Sequence, residues 1–171
     1  MPFINSEMQL LLETLSFKNL NLEKKLEKIA LSGFCFKAGC YLLKELTSLR
    51  LNVPFNPITD PIGYECWVND LNTCDYCVNC HMEQAFLFIY MIFKNWKKEQ
   101  SVNKLVAIFS SSEIGVNIRF HVSRDCGEWI SNDLEDFIQP IMKIDSNEIF
   151  FIDSLLNSSF LNVEEIKSKF N

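Results

Sequence analysis

The sequence predicts an α+β fold, with N-terminal helices and a buried central helix packed on an antiparallel β-sheet. Before residue 50, apolar residues recur three or four positions apart, the spacing of one face of a helix. After residue 104 they alternate with polar residues, the spacing of a half-buried strand. Residues 82–96 are apolar on nearly every side, as in a fully buried helix. Helices followed by strands are typical of α+β domains.

The composition is that of one globular domain spanning residues 1–171. Apolar residues make up 48% of the chain, fifteen residues are Phe, and no repeat or change in composition divides it. A chain of this length buries roughly two thirds of its unfolded surface. It is therefore expected to fold without disulfides or a metal.

Three helices are predicted before residue 50. Each rests on apolar residues that share one helical face, and the second has capping residues at both ends. They are residues 6–15, a helix from Asn21 to Gly33, and residues 37–49.

Prolines interrupt the middle of the chain. Three prolines between residues 54 and 61 lack backbone donors and predict a loop over Asn52–Gly63. A short strand is predicted over Tyr64–Val68. A polar, cysteine-rich turn over Asp70–His81 then leads into the central helix, Met82–Trp96.

The second half of the chain begins with a predicted β-hairpin. Its strands contain the alternating residues 105–109 and 116–122, and residues 110–115 supply the turn. Residues 128–145 fit either a short helix that ends at Pro140 or a strand.

Two further elements are predicted after residue 145. Glu148–Ile152 is predicted to be a strand. A terminal helix is expected to begin at Asn162, because Glu165 three residues later completes a capping-box pattern.

The cellular location is predicted from the N-terminal and apolar segments. Met1–Glu7 lacks the basic and apolar regions of a secretory signal. The most apolar run, Ala85–Phe93, is far shorter than the about 20 residues that cross a bilayer. We therefore expect a cytoplasmic protein, whose seven cysteines are reduced and mostly serve as small core residues.

The charge balance favours a basic protein partner over nucleic acid. The formal net charge is −6, and only three residues are Arg. A surface that follows phosphates requires clustered Lys and Arg. An acidic surface instead complements a basic protein, although acidity also serves solubility alone.

One cysteine-rich segment contains the residues best suited to bind a metal: Cys66, Cys74, Cys77, Cys80 and His81. Cys-x2-Cys spacing allows two thiolates to bind one zinc ion, but no second separated pair is present. Cys77–His81 also matches the attachment pattern of a c-type haem, which requires export. A redox pair of Cys77 and Cys80 is a further alternative. We predict no cofactor, with a zinc-stabilised or thiol-redox regulatory domain as the alternative function.

Catalytic motifs are sparse. The chain contains two histidines, His81 and His121, and no glycine-rich phosphate loop or Gly-x-Ser-x-Gly sequence. His121 is expected on the face opposite Phe120 and Val122, at the surface or half-buried. We therefore predict that the protein is not an enzyme.

The candidate partner-binding residues form an acidic stretch that contains one large aromatic. Carboxylates supply steering and register to a protein interface, and an aromatic supplies desolvated contact area. The alternative is a solvated helix end, where acidic residues are favoured by the helix dipole. The candidate residues are Asp125, Glu128, Trp129, Asp133, Glu135 and Asp136.

The segment Gly115–Ile144 resembles bacterial toxin-immunity proteins, particularly those of contact-dependent growth inhibition systems. The resemblance lies in the strand Val116–Val122, in Trp129 and in the run Asp133–Phe137. It implies a cytoplasmic protein that binds one toxin domain, often a nuclease, and occludes its active site.

Overall fold

The computed structural model describes residues 1–50, 52–99 and 102–157. The helices are α1 (Ser6–Leu12), α2 (Lys24–Ser32), α3 (Lys44–Thr47), α4 (Pro61–Val68), α5 (His81–Glu99) and α6 (Ile149–Asn157). The strands are β1 (Phe3–Ile4), β2 (Phe34–Lys37), β3 (Cys40–Leu43), β4 (Asp70–Asn72), β5 (Leu105–Ser112), β6 (Gly115–Val122) and β7 (Ile141–Asp145).

Five strands form one antiparallel sheet in the order β1-β7-β5-β6-β4, and β2 and β3 form a separate hairpin. The predicted α+β class is confirmed. The predicted hairpin is also confirmed as β5 and β6, which pair along their full length from Leu105↔Val122 to Ser112↔Gly115.

The predicted central helix is confirmed as α5, which packs on the inner face of the sheet. Phe86 meets Phe109 of β5, and Phe88 meets Phe120 of β6, each pair edge to face at 5.1 and 5.9 Å between ring centroids. Trp96, near the end of α5, is 1% exposed. Burial of these large rings supplies much of the apolar contact that stabilises the domain.

The first two predicted helices are present with shorter boundaries. In α1 the Asn5 side chain accepts a hydrogen bond from the Met8 N–H, and the helix ends three residues earlier than predicted. In α2 the helix begins at Lys24 rather than near Asn21. It ends, as predicted, at Gly33, whose φ of +68° suits a residue without a side chain.

The prediction of a third helix over residues 37–49 is wrong. Ala38 and Gly39 both have positive φ angles, 52° and 80°, and form the two-residue turn between β2 and β3. Only Lys44–Thr47 is helical. The apolar residues at helical spacing here are divided between a strand and the short helix after it.

The predicted strand Tyr64–Val68 is wrong, because these residues belong to α4. The Asp60 side chain accepts a hydrogen bond from the Gly63 N–H at 2.8 Å, and Pro61 occupies the first helical position. An Asp cap followed by Pro is a strong helix start. The predicted loop therefore ends at Asp60.

The region after β6 also differs from its predictions. Residues 123–140 form neither the helix nor the strand considered for 128–145, and only β7 is a strand. The predicted strand Glu148–Ile152 is wrong, since a capping box between Asp145 and Glu148 leads into α6. The predicted helix from Asn162 lies outside the described residues.

Candidate functional site

The acidic stretch lies in the connection between β6 and β7, which we call the acidic segment (residues 123–140). It crosses the outer face of the sheet, opposite α5. Leu134 of this segment is 2% exposed and packs with buried Val106, Ile108 and Ile141. The segment thus has an apolar underside that holds it on the sheet.

The start of the acidic segment is anchored by an ion pair between Arg124 and Glu65 of α4. The Arg124 guanidinium donates to Oε2 of Glu65 at 2.8 Å and to Oε1 at 2.7 Å. Glu65 is 0% exposed and also accepts from the Tyr41 and Val122 N–H groups, each at 2.7 Å. The hydrogen bonds to Glu65 raise the pKa of Arg124. The buried Glu65 carboxylate is therefore fully paired, by an Arg124 side chain that is itself 18% exposed.

The middle of the acidic segment is held by Lys143 of β7. Its Nζ lies 2.5 Å from Oε2 of Glu128 and 2.8 Å from Oδ1 of Asn132. Lys143 is only 6% exposed, although its side chain is charged. A buried ammonium requires such partners, so Glu128 neutralises a charge of its own chain.

The end of the acidic segment is attached to the start of α1 through Asn5. The Asn5 side-chain amide donates to the Phe137 and Gln139 carbonyls at 3.0 and 2.9 Å. Its oxygen accepts from the Ile141 and Met8 N–H groups at 3.1 and 3.0 Å. One buried side chain therefore fixes both the α1 start and the exit from the acidic segment.

The six candidate residues share this segment but have different surroundings. Glu128 pairs with Lys143, and Glu135 accepts from the Ser6 N–H at 3.0 Å. Trp129 is half-buried and packs edge to face on Phe55 at 5.8 Å. Thus Glu128, Glu135 and Trp129 all have structural contacts within the chain.

The remaining three candidate residues are exposed carboxylates. Asp125, Asp133 and Asp136 all face solvent. Asp133 accepts a local hydrogen bond from the Glu135 N–H at 3.2 Å, whereas no hydrogen bond or ion pair within the described residues involves the side chains of Asp125 and Asp136. Ile138 is 92% exposed in the same segment. Ile138 was not among the predicted binding residues, because the sequence left residues 128–145 open between a helix and a strand.

The cysteine-rich segment does not bring its candidate ligands together. Cys66 lies in α4, and Cys77 lies 3.4 Å from Nδ1 of His81, whereas Cys74 and Cys80 are exposed. Within the described residues, no group of three or more His, Cys, Asp or Glu side chains is placed to hold one metal ion. Burial raises the pKa of Cys77, which disfavours a reactive thiolate there.

All seven cysteines are free thiols. Cys40, Cys66 and Cys77 are buried, and Cys74, Cys80 and Cys126 are exposed. The prediction that most are core residues therefore holds for only part of the set.

Both histidines are held by neighbouring groups. Nδ1 of His81 lies 3.0 Å from the Thr73 hydroxyl. His121 is 1% exposed, so the prediction of a surface or half-buried histidine is wrong: the outer face that it shares with Val106 is covered. Burial lowers the pKa of His121 and leaves its Nε2 without a hydrogen-bond partner among the described residues.

Comparison with known proteins assigns the chain to a family. The family described as "Uncharacterized protein PM0498 family" has a model that matches residues 3–168. The chain belongs to this family. No curated protein and no solved structure matches this chain. Among the described residues of this PM0498-family chain, no helix has the length and apolar character to span a membrane.

Proposed function

We propose that this protein is a cytoplasmic immunity protein that binds a basic toxin domain and occludes its active site. The observation that carries the proposal is the acidic segment. Its apolar underside and its three anchors fix it on the sheet, and it presents Asp125, Asp133, Asp136 and Ile138 to solvent.

The charge distribution of the acidic segment supports a basic partner. The segment contains five acidic residues and one basic residue, Arg124. Because Arg124 binds Glu65 of α4, it does not offset the exposed carboxylates. A surface of one sign accelerates association with a partner of the opposite sign and disfavours other partners.

The anchoring of the acidic segment supports tight binding. Ordering a free loop on binding costs affinity, so a segment already fixed before the encounter loses less entropy. Arg124, Lys143 and Asn5 hold it at its start, middle and end. Exposed Ile138 adds apolar contact next to Asp136, a combination suited to an interface.

A nuclease toxin is the partner class that fits this chemistry best. A nuclease binds phosphates, and its substrate surface therefore carries clustered Lys and Arg. Carboxylates held on a fixed surface complement those cations. Inhibition then requires only that the acidic segment cover the substrate site.

The experiment begins by identifying a partner and then measures inhibition directly. Tagged protein retrieves candidates from the native host, and each purified candidate is tested for nuclease activity with and without the chain. The dissociation constant is measured by calorimetry for the wild type and for Asp125→Lys/Asp133→Lys/Asp136→Lys. We expect the triple variant to bind about a hundredfold more weakly.

A matched variant separates the surface from net charge. Glu13→Lys/Glu99→Lys/Glu113→Lys also reverses three exposed carboxylates, each outside the acidic segment. Both variants raise the formal net charge from −6 to 0, because each reversal adds two. Equal loss in both variants, or no loss in either, would reject the acidic segment as the interface. A partner whose activity is unchanged when bound would reject the inhibitory function.

A further inference from the structure

A cleft of about 360 Å³ lies beside the acidic segment, between the first turn of α4 and the turn that opens the segment. Thr59, Asp60, Pro61 and Ile62 line one wall, and Cys126, Gly127, Glu128 and Trp129 line the other. Its volume is at the low end of small-ligand pockets, about 300–1,000 Å³. A cleft of this size accepts one long side chain.

The cleft is acidic. Two of its lining residues, Asp60 and Glu128, are acidic, and none is basic. The N-terminus of α4 contributes roughly half a positive charge, but Asp60 caps it and outweighs it. Lys143 binds one oxygen of Glu128 from the sheet side, and the Glu128 side chain is still 52% exposed. Because Lys143 offsets the charge of Glu128, the net negative charge of the cleft comes from Asp60, and it favours a cation over an anion.

One aromatic ring lines the same cleft and is supported from behind. Trp129 packs on Phe55 at 5.8 Å, and Phe55 packs on Trp67 at 6.0 Å. Phe55 also lies against the start of α4, since a Cβ on Gly63 would be 2.7 Å from its ring. The Trp129 ring is therefore held in place next to Asp60 and Glu128, and Trp is the side chain that binds cations best through its face.

Two exposed apolar residues lie near the cleft: Trp67 contacts Phe55, and Ile58 precedes the lining residue Thr59 along the chain. Trp67 is 42% exposed and Ile58 is 84% exposed. Aromatic anchors next to exposed apolar residues are typical of the centre of a protein interface, where a few residues supply most of the binding energy. The cleft thus adds aromatic and apolar residues to the surface of the acidic segment.

We infer that this cleft receives an arginine side chain of the basic partner. The inference rests on the proposed function and specifies how that partner is held. A planar guanidinium stacks on an indole ring and forms paired hydrogen bonds with carboxylates, which an ammonium does not do as well. Asp60 and Glu128 accept those bonds while Trp129 covers the guanidinium plane.

The test uses the isolated protein and small probes, so it does not depend on identifying the partner. N-acetyl-arginine amide is titrated while two-dimensional NMR follows the Gly127 amide and the Trp129 indole N–H. N-acetyl-citrulline amide has nearly the same shape without the charge, and N-acetyl-lysine amide has the charge without the plane. We expect saturable shifts at both positions with a dissociation constant of about a millimolar for arginine, as is usual for so small a ligand.

Two substitutions test the roles of the charge and the ring. Asp60→Asn removes the charge but retains a good helix cap, and it should weaken arginine binding about tenfold. Trp129→Phe retains a ring on Phe55 and should weaken it about threefold. Glu113→Gln, in the β5–β6 turn, removes one exposed carboxylate elsewhere and should leave binding unchanged.

Any other outcome of the probe titrations overturns the inference. Equal responses to arginine and citrulline would show that charge is not recognised, and equal responses to arginine and lysine would remove the role of the guanidinium. Shifts at the same positions with inorganic phosphate would assign the cleft to an anion. A different result is that arginine binds as expected while charge reversal at Asp125, Asp133 and Asp136 leaves the affinity of an inhibited partner unchanged. That result would reject the acidic segment as the interface and would retain the cleft as an arginine site. If that charge reversal weakens binding of the partner but arginine does not bind the isolated protein, only the assignment of the cleft as an arginine site fails.

Discussion

Arg124 donates to both carboxylate oxygens of Glu65, at 2.8 and 2.7 Å, and so joins the first residues of the acidic segment to α4. The same guanidinium donates to the Gly39 carbonyl at 3.1 Å, in the turn of the β2–β3 hairpin. Glu65 in turn accepts from Tyr41 of β3 and Val122 of β6. One ion pair therefore connects the hairpin, a helix, the sheet and the proposed interface.

Glu65→Gln is expected to destabilise the protein strongly. The substitution leaves the Arg124 charge without its partner and places an amide N–H₂ against donors that require an acceptor. Removal of one partner of a buried ion pair costs about 3–5 kcal/mol in the free energy of unfolding. Urea unfolding followed by circular dichroism measures this. Glu45→Gln, which removes an exposed pair with Lys28, should have a much smaller effect, and similar losses in both variants would contradict the special role of Glu65.

Asn5→Ala should loosen the exit of the acidic segment. The substitution removes all four hydrogen bonds of the Asn5 side chain and leaves the Met8 and Ile141 N–H groups without that acceptor. We expect a loss of about 3 kcal/mol, together with faster amide exchange at Ile141. Denaturant unfolding and hydrogen exchange measure the two effects.

Asn157→Ala is the matched control for Asn5. The Asn157 side chain donates one exposed hydrogen bond, to the Asp153 carbonyl at 2.8 Å. Its removal should change stability by less than about 0.5 kcal/mol. Unchanged exchange at Ile141 in the Asn5→Ala protein would show that Asn5 does not hold this part of the chain.

His121 should make the protein less stable in mild acid. Burial lowers the pKa of His121 below its ordinary value of 6.5, so the unfolded chain takes up this proton at higher pH than the folded chain does. The contribution of neutral His121 to the free energy of unfolding is therefore fully present above pH 6.5. It declines as the pH falls below that value, by at most about 1.4 kcal/mol per pH unit. Unfolding free energies measured between neutral pH and mild acid show the slope.

His121→Leu isolates this effect. The variant cannot take up the proton, so the part of the decline due to His121 should disappear. His81→Gln retains His121, so this variant should show the same decline in stability as the wild type. An identical slope in wild type and His121→Leu would mean that His121 is protonated equally easily in the folded and unfolded chains.

The cysteines should separate into fast and slow groups on alkylation at neutral pH. Cys74, Cys80 and Cys126 are exposed and should react first with iodoacetamide. Cys40, Cys66 and Cys77 are buried, and burial raises the pKa of each thiol, to about 11 for Cys40, so they should react only on unfolding. Mass spectrometry of digests measures each rate, with a urea-unfolded sample as the control. Rapid reaction of Cys77 in the folded protein would revive the thiol-redox alternative.

Sequence periodicity was sufficient where one element supplied a long, uninterrupted pattern. The α5 helix is predicted because residues 82–96 are apolar on nearly every side, and the β5–β6 hairpin because apolar residues alternate over residues 105–109 and 116–122. The pattern failed in short elements. Residues 64–68 contain too few positions to distinguish a strand from a helix, and the capping by Asp60 that decides it was not recognised.

The candidate site was predicted as a stretch of residues but not as a surface. Acidic composition identified the stretch that contains Asp125 and Asp136. The same composition could not show that Glu128 neutralises Lys143 or that Glu135 binds Ser6, because these partners are distant along the chain. The cleft at Trp129 was also missed, since one of its walls comes from residues 59–62.

The sequence by itself determined the α+β class, the buried helix and hairpin, and the acidic character of the candidate interface. Those properties depend on local periodicity and on composition, which are read along the chain. Only the tertiary structure decided which carboxylates are exposed, that His121 is buried, and that Trp129 lines a cleft. These depend on contacts between residues far apart in sequence, such as Arg124 with Glu65 and Asn5 with Gln139. Side-chain burial and side-chain pairing arise only when the chain packs, so a local sequence pattern does not predict them.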